Sequence, residues 1–273
     1  MDTSEKEISI LGCGWYGLAM AKKLIENGYT VKGSTTTPEK QIVLKESGII
    51  PYLVNFQQEA ESFDVGFFSC PILIVCIPPK RSSAEQHTFL SKITKIADAA
   101  STSKVSQLIF ISSTSVYGDI NGQVDENMVP QPDTDSGKAI LSAELLLKDT
   151  PGFMTTIIRF GGLIGPNRDP GRFFAGKSDI PNGNAPVNLI HLSDCTGITL
   201  SILQNRAFGY TYNACSPQHP GRSAFYTEAS VKSGLERPHF KDELLNWKQV
   251  NSITIPKILN YDFVVKLNSI VIQ

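Results

Sequence analysis

The 273 residues are 41% hydrophobic and 19% charged, with a formal net charge of -1. That is ordinary globular composition, enough for one large α/β domain or for a large domain with a small lobe. It excludes long disordered tracts and any global electrostatic pull toward nucleic acid.

The polar, acidic residues 1–7 do not read as a secretory signal, and no apolar run approaches the roughly 18 residues of a membrane span. A cytoplasmic protein with small-molecule partners, no nucleic acid and no membrane is expected, as monomer or homodimer. Residues 8–11 read as a strand. Gly12-Cys13-Gly14-Trp15-Tyr16-Gly17 follows at once and opens a helix with Leu18, Ala21, Leu24 and Ile25 on one face. A GxGxxG is weak alone, but between an apolar strand and an amphipathic helix it predicts a diphosphate-binding turn. Gly12 permits the tight turn, Gly14 lets a diphosphate approach the backbone, and Gly17 lets helix and strand pack closely. The unpaired N–H groups of the helix start then face the anion.

Residues 29–33 predict the second strand. Its end reads Lys32-Gly33-Ser34-Thr35-Thr36-Thr37, with no carboxylate to hold a ribose 2′-hydroxyl. Ser34, Thr35 and Thr36, with Lys32 or Lys40 nearby, favour the 2′-phosphate of NADP over NAD on charge complementarity. Residues 51–55 are a third strand, and 71–77 a strand buried on both faces and ended by Pro78-Pro79. Cys76 lies in this run. The five cysteines, at 13, 70, 76, 195 and 215, form no CxxC pair, so free buried thiols are expected and no metal site. Ser83 and Gln86 suit a capping box ahead of the stripe Phe89, Ile93, Ile96 and Ala100. Strand 108–111, helix 138–148 and strand 155–159 continue the alternation, which predicts a doubly wound parallel sheet of the Rossmann type. After Gly161, glycine, proline and asparagine cluster. The expected division is 1–160 for the dinucleotide and 161–273 for a smaller, loop-rich substrate lobe, with a helix and strand within about 187–215 returning to the first.

Residues 109–118, Ile-Phe-Ile-Ser-Ser-Thr-Ser-Val-Tyr-Gly, together with the glycine turn, 158–166, 187–194 and 212–214, resemble in order the extended short-chain dehydrogenase/reductases, the NAD-dependent epimerase/dehydratase superfamily. The glycine turn with Gly33-Ser34, residues 112–119, and the segment 169–177 are similar to an atypical branch, the YeeZ-like proteins. The resemblance implies a Ser/Thr, a Tyr general acid/base and a Lys that tunes the Tyr and holds the nicotinamide ribose. Ser113 matches the first and Lys138 the last. Thr134 stands four residues before Lys138, where the Tyr belongs. An aliphatic hydroxyl is a far weaker acid than a phenol of pKa near 10, and general acid/base assistance is typically worth about 10²–10⁴-fold.

Tyr117, Asp133, Asp135 and His191 are the candidate substitutes; Asp133 or Asp135 reads otherwise as the cap of helix 138–148. The expected catalytic set is Ser113, Lys138 and Tyr117. The expected cofactor set is Gly12, Gly14, Trp15, Tyr16, Gly17, Ser34, Thr35, Thr36, Ile77, Pro78, Ser112 and Lys138. Beyond the strand ends, Arg168, Arg172 and Phe173 are expected to meet an anionic or sugar-nucleotide substrate with Ser113, Thr114 and His191, and residues 219–222 offer a second lining. Two readings stay open: an NAD(P)-dependent oxidoreductase or epimerase-like enzyme, narrowly favoured by Ser113, Lys138 and the cationic loop, and a non-catalytic NADP-binding sensor, favoured by the missing Tyr.

Overall fold

The computed structural model describes residues 6–56, 61–79 and 83–267. Seven parallel strands form one sheet: β1 (Glu7–Leu11), β2 (Thr30–Thr35), β3 (Ile50–Leu53), β4 (Ile72–Val75), β5 (Gln107–Ser113), β6 (Met154–Phe160) and β7 (Thr211–Ala214). Their order, β7-β6-β5-β4-β1-β2-β3, reverses direction at β1, the doubly wound Rossmann arrangement. The strands alternate because both faces are buried. Ile8 and Ile10 of β1, Ile72 and Ile74 of β4, and Ile109 of β5 enter one apolar cluster with the helices α1 (Trp15–Glu26) and Leu192–Gln204. Leu11, Leu73, Val75, Leu108 and Phe110 enter the opposite cluster, with Phe89, Ile93, Ile96 and Ala100 of Ser83–Ser101 and Ala143 and Leu147 of Asp135–Asp149.

We number these helices in chain order: α1, α2 (Lys40–Glu46), α3 (Ser83–Ser101), α4 (Asp135–Asp149), α5 (Leu192–Gln204) and α6 (Arg222–Lys232). The pattern of the sequence anticipates every central strand, with ends displaced by one or two residues: β5 and β6 run beyond the expected bounds, and β4 is shorter than the expected 71–77 at both ends. α2 and α6 have too few periodic apolar positions to be read in advance. The capping box expected at Ser83 and Gln86 falls on side chains outside the described residues. After β6 the chain forms two short parallel strands, Gly162–Ile164 and Leu189–His191, and a single-turn helix, Gly171–Phe174, against α6. A third apolar cluster gathers Ile164, Val187, Leu189, Phe225, Tyr226 and Leu267. All five cysteines are free. Among the described residues no helix is long and apolar enough to cross a membrane, and no group of His, Cys, Asp or Glu is set to hold a metal ion.

Candidate functional site

The switch point of the sheet opens a cleft of about 330 Å³ at the carboxyl ends of β1, β4, β5 and β6. The turn after β1 forms one end. Gly12 has φ of +98°, a left-handed conformation that favours glycine, and its N–H donates to Ser34 Oγ at 2.8 Å. The Cys13 N–H donates to the Ser34 carbonyl at 3.0 Å. A Cβ on Gly17 would collide with the Gly12 carbonyl, so α1 approaches β1 only because that side chain is absent. A Cβ on Gly14 would meet nothing within 4 Å, so its bare backbone faces open space rather than a packed neighbour.

Trp15 and Arg168 roof this turn. Trp15 Nε1 donates to the Pro166 carbonyl at 2.7 Å, and the Arg168 guanidinium lies 4.3 Å from the Trp15 ring centroid. Tyr16 points inward, its hydroxyl 2.7 Å from Thr199 Oγ1 and its ring edge-on to Phe160. Burial pushes the Tyr16 phenol well above its ordinary value. Ile77 and Pro78 line the middle of the cleft, and Ser112, Ser113, Phe110 and Ile140 its far end. Of the expected residues, the structure thus brings together Gly12, Gly14, Trp15, Tyr16, Gly17, Ile77, Pro78, Ser112, Ser113 and Arg168. The helix phase of α4 supplies one lining residue that sequence reasoning missed, beside Phe89, Phe110, Phe160 and Leu163 from other elements. Gly137, Ile140, Ala143, Glu144 and Leu147 form its buried stripe, and Ile140 is the one whose side chain reaches the cleft. That spacing was visible in the sequence and predicts that Lys138 faces out.

Several expected residues stand elsewhere. Lys138 has a side chain 61% exposed, 3.4 Å from Asp135 Oδ1 on the outer face of α4. Thr134 is the cap of α4, its hydroxyl accepting from the Gly137 N–H at 3.1 Å; Asp133 instead accepts from the Asp119 N–H. Tyr117 is buried away from the cleft. Its hydroxyl accepts from Arg159 Nη1 at 2.6 Å and lies 3.1 Å from Asn213 Oδ1. Burial pushes that phenol up, and the Arg159 charge offsets this only in part, so Tyr117 is no proton donor to the cleft.

Arg159 also grips Glu144 through Nε at 2.9 Å and Nη2 at 2.6 Å, and Ser112 Oγ donates to the same carboxylate. This buried network was not anticipated; a Glu within an apolar helical stripe and an Arg within a buried strand were its signal. Thr114 is buried outside the cleft lining. His191 caps α5, its Nδ1 accepting from the Ser193 N–H at 3.2 Å, and desolvation lowers its pKa. Arg172 is 79% exposed beside Asp169, and Phe173 packs toward Tyr226. Lys32 does not point to the end of β2; it pairs with Glu7 at 2.8 Å and donates to the Ser69 carbonyl. Ser34 is spent on the glycine turn, which leaves Thr35 and the exposed Thr36 at the end of β2.

No family model matches the chain. Over 242 residues, 88% of this chain and 88% of the relative, it is 38% identical to protein YeeZ of Escherichia coli (strain K12). The chain belongs to the YeeZ family. Across 252 residues, 82% of this chain and 77% of the relative, it is 26% identical to the uncharacterized UDP-glucose epimerase YtcB of Bacillus subtilis (strain 168). The fold is shared with UDP-glucuronic acid 4-epimerase from Bacillus cereus in complex with NAD, at a TM-score of 0.79 and 18% identity over 96% of this chain and 93% of that one. It is shared also with a short-chain dehydrogenase/reductase superfamily protein from Agrobacterium tumefaciens with bound NAD, at a TM-score of 0.78 and 17% identity over 97% and 94% of the two chains. In this cleft Ile140 is the α4 side chain of the lining, and the half-buried Ser136, four positions before it, stands outside the lining.

Proposed function

We propose that the cleft binds a nicotinamide dinucleotide and that the chain acts as a binding protein rather than through tyrosine–lysine hydride chemistry. The diphosphate lies over the open backbone of Gly12–Gly17 at the start of α1, with Arg168 as its cationic cover. The adenosine ribose faces Thr35 and Thr36, where the lack of a carboxylate favours NADP over NAD. The nicotinamide lies toward the ends of β5 and β6, beside Ser113. Solved proteins of this fold hold NAD, and one holds UDP-glucuronic acid with it, so the architecture accommodates both ligand types.

The observation that carries the non-catalytic reading is the lining itself. Among its described residues stand no Asp, Glu, His or Lys, the one tyrosine is buried and bonded to Thr199, and the α4 side chain facing in is Ile140. Desolvation raises the Cys76 thiol well above its ordinary value, so it stays protonated and unreactive there. An enzymatic reading on a nucleotide sugar rests on Ser113, which lines the cleft while its Oγ accepts from the Ser115 N–H at 3.1 Å.

Calorimetry with NADP and NAD, followed by a hydride-turnover panel of carbonyl compounds and nucleotide sugars, separates the two. Binding without turnover is expected. Steady turnover that is lost in Ser113→Ala restores the enzyme, and no binding of either nucleotide at millimolar concentration removes the site.

A further inference from the structure

Resting on the reading that the cleft holds a nicotinamide dinucleotide, we infer that it discriminates between the two redox forms and favours the reduced one. The forms differ in charge where the ring sits: the oxidised nicotinamide is a pyridinium cation, and the reduced ring is neutral. With the diphosphate at the turn after β1, the ring lies beyond the carboxyl ends of β4, β5 and β6. There the cleft is walled by Phe89, Phe110, Ile140, Phe160 and Leu163. Taking a cation from water into an apolar wall is costly unless an opposite charge meets it.

No such charge is offered by the described lining. Its one ionised side chain is Arg168, itself a cation. Glu144, the buried carboxylate behind Ser112, is neutralised by the two-pronged grip of Arg159 at 2.9 and 2.6 Å. Arg168 works against the oxidised ring in a second way. Held over Trp15 above the glycine turn, it neutralises the dinucleotide's own phosphates, the remaining anions that balance a pyridinium. The neutral ring meets apolar contacts and the uncharged Ser112 and Ser113. The cleft therefore reads the redox state of the nicotinamide pool through charge alone, with no hydride transferred.

The test is calorimetry on the intact chain with NADPH, NADP⁺, NADH, NAD⁺ and ADP-ribose, which keeps the diphosphate and lacks the ring. Trp15 lines the cleft and Trp247 does not, so quenching of tryptophan emission that survives in Trp247→Phe reports occupancy independently. The reduced form is expected to bind at least about tenfold tighter than the oxidised one, with the oxidised form no tighter than ADP-ribose. In Arg168→Gln, an exposed position, the ratio of the two affinities narrows several-fold even if both weaken. Equal affinity of the two forms, or tighter binding of the oxidised one, overturns the discrimination and leaves dinucleotide binding standing. If ADP-ribose and all four dinucleotides fail to bind, the site itself is lost, and the inference with it.

Discussion

Thr134 and Lys138 carry the spacing of a tyrosine–lysine pair with the wrong first residue, and neither lines the cleft. Thr134 Oγ1 caps α4 at the Gly137 N–H, 3.1 Å away, and Lys138 points to solvent from the same turn. Replacing Thr134 by Ala is expected to cost about 1 kcal/mol, read as a shift of the urea midpoint. Thr134→Tyr should likewise cost stability and bring no turnover, because the phenol leaves from a capping position. The α4 side chain that lines the cleft is Ile140, so Ile140→Lys is the variant expected to tighten nucleotide binding by calorimetry; unchanged affinity would show that α4 does not border the ribose.

Glu144 and Arg159 stand behind this surface. Removing one partner of a buried ion pair strands the other charge, so Glu144→Ala is expected to lose roughly 3–5 kcal/mol in equilibrium unfolding. A loss within the range of a surface pair, under about 1 kcal/mol, contradicts the burial.

At the scale of elements, α1 is held against β1 by an absent side chain. Gly17→Ala forces the new Cβ onto the Gly12 carbonyl, so α1 must shift and the turn must open. Loss of nucleotide affinity is expected together with lower stability, whereas Gly14→Ala, whose Cβ meets no protein atom, should lower affinity and leave stability nearly unchanged. Comparing thermal melts with binding isotherms separates these outcomes.

The cap of α5 adds a pH dependence. His191 accepts at Nδ1 from the Ser193 N–H, so protonation there breaks the cap; desolvation lowers its pKa below 6.5, and Asp194 opposes this in part. His219 behaves alike, through burial first, with its contact to the Val187 carbonyl opposing. The unfolded chain binds protons at both rings as pH falls through 6.5, while the folded chain resists until its own lower values are reached. Stability is therefore full above that pH and declines below it. Urea midpoints measured from pH 7.5 down to about 5 should fall, and His191→Asn, which keeps a capping group, should flatten part of the slope. A flat profile in the unsubstituted chain would refute the assignment.

For the molecule as a whole, the decisive feature is a sheet whose order reverses at β1 and whose cleft is roofed from far along the chain, by Pro166 and Arg168 over Trp15. The strands of the parallel sheet and the glycine turn were legible because they are local. Period-2 and period-3.6 patterns, and glycines that answer to backbone sterics within a few residues, need no knowledge of distant neighbours. The inward face of α4 was legible too, in the stripe through Gly137, Ile140 and Glu144, although the spacing of Thr134 and Lys138 pointed the other way. What only the tertiary structure decided is how polar side chains are spent. Lys32 goes to Glu7, Ser34 to Gly12, Tyr117 to Arg159 and His191 to a helix end; the first three are buried and His191 half-buried, and each takes the partner that folding brings near. Residue type and spacing list such groups as candidates for chemistry. Only packing shows which of them remain free to meet a ligand.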